Sequence, residues 1–165
     1  MKVLVGGIGN MFFGDDGFGS EVARALAGDR LSGVKIEDYG IRGLHLAFEL
    51  SSGYDRAFLI DAMPRGGRPG TLYVVEPEEP PPTGVPDAHR MDLQNVFAFV
   101  RSIGGEPPPI TVIGCEPAAI EETIGLSPPV RDAVAPAAQL VRRLLAETFA
   151  AAESCEKENT LWSEA

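Results

Sequence analysis

Short, wholly apolar runs recur along this chain, separated by amphipathic stretches of helical period, and that alternation restricts the fold more than any other feature. Val3-Leu4-Val5 opens the series, and Ala57-Phe58-Leu59-Ile60, Leu72-Tyr73-Val74-Val75 and Val112-Ile113 continue it within strands expected at 56–62, 71–75 and 110–114, with a more polar strand at 34–39. Ala57-Phe58-Leu59-Ile60 has no polar residue to turn toward water on either face. Runs of this kind belong to a sheet covered on both sides, and the intervening segments supply the covering helices. Residues 16–28 place Phe18, Val22 and Leu26 at four-residue spacing before Gly28, and a second helix carries Leu44, Ala47 and Leu50 and stops near Gly53. Leu93, Val96, Phe97 and Val100 mark a third helix over 93–103. Ser127-Pro128, an N-cap and a first-turn proline, opens a long fourth helix through Val130, Val134, Leu140, Val141, Leu144 and Leu145. The expected fold is α/β in three layers: a mostly parallel, twisted sheet with helices on both faces.

A chain of 165 residues, 44% of them hydrophobic, suffices for one compact core. Residues 1–152 are expected to form that single domain, and the polar residues 153–165 a disordered tail. Residues 76–86, crowded with prolines and acids, read as a surface loop. No run approaches the roughly 18 apolar residues of a membrane span. Met1-Lys2 leads into a strand without a signal pattern, so no membrane insertion and a cytoplasmic location are expected. The net charge of −10 opposes nucleic-acid binding, which depends on Lys and Arg neutralising phosphates. Cys115 and Cys155 supply neither a disulfide framework nor a thiolate metal cluster, and Cys115 is expected to be a buried or half-buried structural thiol.

The chemistry-bearing residues fall where strands end. Gly6-Gly7-Ile8-Gly9-Asn10 follows the first strand and delivers Asp15-Asp16 to the mouth of a helix; Asp38 closes the second strand, Asp61 the third, and His89 lies in a polar segment. In an open α/β sheet the carboxyl ends of the strands gather the site, so two or three carboxylates and one imidazole are expected to share a crevice. Such a donor set suits a divalent transition ion without naming it. Each residue also has a plainer reading. Either acid of the pair, Asp15 or Asp16, can cap the helix, which would leave the other for the crevice. His89 alone reads as a solvated loop residue, whereas Asp61, directly after four apolar residues, needs a partner or a ligand if buried. His45 sits one helical turn from Glu49 and is expected to pair with it on the surface. Gly7-x-Gly9 also mimics a dinucleotide fingerprint, but Phe12 occupies the third glycine's place and two acids stand where a pyrophosphate wants bare N–H groups. The glycines read instead as room for a substrate to approach.

Together, Gly7-Ile8-Gly9-Asn10 with Asp15-Asp16-Gly17-Phe18-Gly19, Asp38-Tyr39-Gly40-Ile41-Arg42-Gly43, Leu59-Ile60-Asp61-Ala62, His89, Gly114-Cys115-Glu116-Pro117 and Ile124-Gly125-Leu126-Ser127-Pro128 give the chain a specific likeness. It resembles the hydrogenase maturation proteases, classed as aspartic-type endopeptidases, over nearly its whole length to the end of the long helix. The resemblance implies an enzyme that trims the C-terminal extension of a nickel-iron hydrogenase large-subunit precursor after nickel insertion. It implies Asp16, Asp61 and His89 as the nickel-recognition and catalytic set, and Asp38 beside the substrate cleft. Nickel would arrive with the precursor rather than reside in the protease. Two positions depart from the family pattern: Asp16 stands where some members have Glu, and the Asp38 loop reads Tyr-Gly-Ile-Arg-Gly where many carry small residues and threonine. The alternatives are a non-catalytic metal-binding chaperone and, behind it, a small nucleotide-binding α/β protein.

Overall fold

The computed structural model describes residues 1–77 and 93–163. Five strands, β1 (Val3–Ile8), β2 (Val34–Gly40), β3 (Arg56–Ala62), β4 (Leu72–Val75) and β5 (Ile110–Cys115), form one sheet in the order β2-β1-β3-β5-β4. The first three and β5 run parallel; the edge strand β4 is antiparallel to β5. Every residue of β1 and of β5 is buried, as their unbroken apolar sequences require. The edges are held by the less apolar β2 and the four-residue β4.

Helices α1 (Phe18–Leu26) and α4 (Pro128–Ser163) cover one face, and α2 (Gly43–Leu50) and α3 (Leu93–Ser102) the other. The expected three-layer architecture is therefore present. On α1, Phe18, Val22 and Leu26 are fully buried. Gly7 and Gly19 let this helix lie close on the sheet: a Cβ at Gly7 would stand 2.3 Å from the Gly19 carbonyl oxygen, and one at Gly19 2.1 Å from that of Ile60. Those glycines are filled by the protein's own backbone, so they do not provide the expected room for a substrate.

Three helical expectations change. On α2 the buried face is Leu46, Ala47 and Leu50, while Leu44 is exposed, because the helix starts at Gly43 and presents its first turn to solvent. Glu49 feels the charge of the nearby His45, as the spacing predicts, but its hydrogen bonds go elsewhere. It accepts from Lys35 Nζ at 2.7 Å and from the Tyr54 hydroxyl, and the His45 ring stands edge-on to Tyr39. On α4 the buried seam is Val130, Ala133, Ala137, Ala138, Val141 and Leu145, with Val134, Leu140 and Leu144 at its borders. Alanines at i+3 and i+4 steps let the helix approach the sheet, which an inspection for large apolar residues overlooks. The same helix continues to Ser163 through most of the segment expected to be a disordered tail. Residues 78–86 of the acidic, proline-rich stretch lie outside the described residues. Among the described residues, no helix is long and apolar enough to cross a membrane.

Candidate active site

The chain leaves β1 toward β2 on one side and returns to place β3 on the other, so connections diverge at the carboxyl ends of β1 and β3. A sheet opens a crevice at such a switch point. Asp16 and Asp61 both lie there. Gly9, at φ +123°, turns the chain out of β1, and its N–H donates to Gly40 O at 3.1 Å. Asn10 N–H then donates to Asp16 Oδ2 at 2.7 Å, and Asn10 Oδ1 accepts from Phe12 N–H at 3.0 Å, which folds residues 10–16 into a tight loop carrying a 3-10 turn, Gly14–Gly17. Asp61, paired in register with Gly114, ends the apolar part of β3. Its Oδ1 accepts from Ala62 N–H at 2.8 Å and lies 3.7 Å from where a Cβ on Gly9 would be.

Asp61 has a carboxyl pushed up to about 7, first by burial among apolar neighbours and second by the Asp16 charge, with the Ala62 N–H pulling the other way. Among the described residues neither acid has an ion-pair partner, and Asp16 Oδ1 and Asp61 Oδ2 accept no hydrogen bond. Two half-buried carboxylates facing one another with an oxygen each to spare are poised for a cation or a proton.

Asp38 does not join them. Its Oδ1 accepts from Ser20 Oγ at 2.7 Å and Gly40 N–H at 3.0 Å, and its Oδ2 lies 3.4 Å from Arg24 Nη2. It borders a separate groove of about 220 Å³, lined also by Asn10, Phe12 and Ile41, on the β2 side of the Gly9 loop. The expected convergence thus narrows to Asp16 and Asp61, because Asp38 belongs to an edge strand and is held by α1. His89 lies outside the described residues, among which no three His, Cys, Asp or Glu side chains form a metal-binding group.

Asp15 overturns the expectation of a helix cap. The 3-10 turn has no side-chain cap, and Asp15, only 1% exposed, reaches instead to the loop between β5 and α4. Ala118 N–H and Ser127 N–H donate to it at 2.7 Å each, Ser127 Oγ at 2.9 Å and Ala119 N–H at 3.2 Å. Burial alone would raise its pKa, but these bonds together hold the carboxyl below the usual range. The Ser127 hydroxyl is thereby committed to Asp15. Adjacent acids therefore serve opposite ends: Asp15 anchors the loop from within, and Asp16 is left facing the crevice.

A family model described as hydrogenase maturation protease matches residues 21–144. The chain belongs to the hydrogenase maturation protease family. Members of this family are peptidase hydrolases. The Hydrogenase 2 maturation protease of Escherichia coli is 30% identical over 153 residues, covering 90% of this chain and 93% of that protein. Hydrogenase expression/formation protein HupD of Bradyrhizobium diazoefficiens is 37% identical over 154 residues, covering 88% and 79%. Among solved structures, the hydrogenase maturating endopeptidase HybD from E. coli superposes with a TM-score of 0.75 at 30% identity, covering 90% of this chain and 94% of that one.

Sequence reasoning missed one more organising residue of this family member. Glu116, 4% exposed, accepts from Arg65 N–H at 2.9 Å, Gly66 N–H at 3.1 Å and Tyr73 Oη at 2.8 Å, fastening the segment that leaves the Asp61 strand. Its donors lie 43 to 51 residues away, so no local pattern announces it. Cys115 behaves as expected for a structural thiol: it is buried, and burial pushes its pKa up to about 11.

Proposed function

We propose that the chain removes the C-terminal extension of a nickel-iron hydrogenase large-subunit precursor after nickel insertion, with the precursor's nickel held by Asp16, Asp61 and His89. The observation carrying this reading is the Asp16–Asp61 pair: two carboxylates at the switch point of the sheet, each with an oxygen unengaged and neither with a cationic partner among the described residues. Oxygen donors completed by one imidazole suit a first-row divalent ion. Nickel bound to the precursor would bring positive charge to the pair, drive Asp61 to its ionised form and fix the adjoining peptide beside it.

The hydrolytic step consists of water adding to the scissile carbonyl carbon, loss of a proton from that water, and departure of the amine with a proton gained. A crevice carboxylate oxygen not taken up by the metal suits the proton-accepting part, and among the described residues Asp16 Oδ1 and Asp61 Oδ2 are the oxygens of the pair that accept no hydrogen bond. The aspartic-type classification rests on this carboxylate role. Nickel on the carbonyl or the water would assist by polarisation, the other usual way a metal serves hydrolysis. The location follows the substrate and is taken as the cytoplasm.

The test is to incubate the chain with nickel-loaded and nickel-free precursor and to measure precursor mass. Loss of a C-terminal peptide from the loaded form alone is expected. An intact, correctly paired precursor in both reactions would refute the reading, and metal transfer without shortening would favour a chaperone.

A further inference from the structure

The loop after β1 and the loop after β5 are joined into one rigid rim beside Asp16. Gly14 N–H donates to Thr123 O at 2.8 Å and Thr123 N–H to Phe12 O at 3.1 Å, and Asp15 adds its four bonds to the same loop from beneath. On this rim Met11 is 38% exposed, Phe12 59%, Phe13 41%, Ile120 47% and Ile124 79%. Exposed apolar side chains are ordinary when scattered. Five on two hydrogen-bonded segments, set against a crevice of carboxylates, mark a binding surface. The two segments, residues 9–16 and 116–127, carry acids and no Lys or Arg of their own. From neighbouring helices Arg24 reaches Met11 Sδ at 3.8 Å and Arg131 donates to Leu126 O at 2.8 Å, so the exposed charge of the rim itself is that of its acids. Glu121 and Glu122 are exposed between the two isoleucines.

We propose that this rim is the docking surface for the body of the precursor, and that it receives an apolar patch bordered by basic side chains. The proposal rests on the function given above and names what that function requires besides the crevice. Two observations favour the precursor over a second copy of the chain. The rim is continuous with the site into which the precursor's tail must descend. A second copy would also bring Glu121 and Glu122 against their own equivalents or against a surface of net charge −10, which opposes association. Holding the rim rigid before binding reduces the ordering cost on contact, and that is a role the buried Asp15 serves.

The test uses Asp61→Asn as a non-cleaving background and measures the dissociation constant of the full chain for nickel-loaded precursor, with and without Phe12→Ser and Ile124→Ser together. Both side chains are exposed, so the fold is retained, which circular dichroism checks. The expected result is a Kd raised about tenfold or more, with Glu121→Lys and Glu122→Lys weakening binding further at low salt than at high salt. In the cleaving background the serine pair should raise KM and leave kcat within about twofold. An unchanged Kd overturns the proposal, as does concentration-dependent self-association of the wild-type chain that the serine pair abolishes. If the wild-type chain binds the precursor through the rim yet never shortens it, the proposed proteolysis fails and the docking surface stands. Cleavage with a normal KM in the serine pair shows the reverse.

Discussion

Asp61→Asn should separate stability from activity, and the structure sets the size of the effect. Folding raises the Asp61 carboxyl from its ordinary 3.8 to about 7. The folded state therefore holds this proton more tightly than the unfolded chain does. Below about pH 3.8 both states are protonated and the group is neutral to stability; as pH rises from there toward 7 the unfolded state ionises first, and stability is lost. The full loss, about 3 pKa units at 1.36 kcal/mol each, is roughly 4 kcal/mol above neutrality as an upper limit. Between about pH 5.5 and 8.5 the same shifts give a change of about 2 kcal/mol, reduced toward 1 by the side chain's partial contact with water. Asparagine keeps an oxygen for the Ala62 N–H and cannot ionise. In metal-free urea unfolding the variant should therefore exceed the wild type in stability at the higher pH, by a margin that shrinks by about 1 to 2 kcal/mol at the lower one. It should also cleave no precursor. A margin independent of pH, or a variant less stable at the higher pH, would refute the assignment of a strained, ionisable Asp61 facing Asp16.

Two further substitutions probe the loops that carry the pair. Asp15→Ala leaves the N–H groups of Ala118, Ala119 and Ser127 and the Ser127 hydroxyl without their acceptor. It should cost about 3 kcal/mol or more in chemical unfolding near neutral pH, and a loss under about 1 kcal/mol would show the anchor to be dispensable. Because its carboxyl is held below the usual range, the Asp15 contribution is present above about pH 4 and fades as pH falls through the lower, folded value. Gly9→Ala would set a methyl 1.8 Å from Asp16 O in a backbone conformation of φ +123° that disfavours a side chain. Precursor cleavage should drop more than about tenfold as Asp16 is displaced, and retained cleavage in a folded variant would mean that Asp16 tolerates movement.

The order of strands and helices was legible because each element declares itself within a few residues. The uninterrupted Ala57-Phe58-Leu59-Ile60 excludes a half-exposed strand, and Phe18, Val22 and Leu26 exclude anything but a one-sided helix. Element faces were less legible where small residues do the packing: Ala133, Ala137 and Ala138 on α4, and Gly7 and Gly19 between α1 and the sheet, carry no hydrophobic signal proportional to their role. The likeness to maturation proteases is likewise readable in the motifs, and the family match agrees with it.

The sequence by itself thus determined an α/β chain of this family with acids at its strand ends, since burial periodicity and motif spacing are local properties. Only the tertiary structure decided what each acid does. Asp15 and Asp16 are neighbours in sequence, yet one bonds donors 103 to 112 residues away while the other faces Asp61. Asp38, just as prominent at the end of its strand, is held by Ser20 and Arg24 on the far side of the Gly9 loop. The difference lies in strand order: β1 and β3 are adjacent and β2 is at the edge, and a carboxylate's environment is set by what lies across the sheet from it.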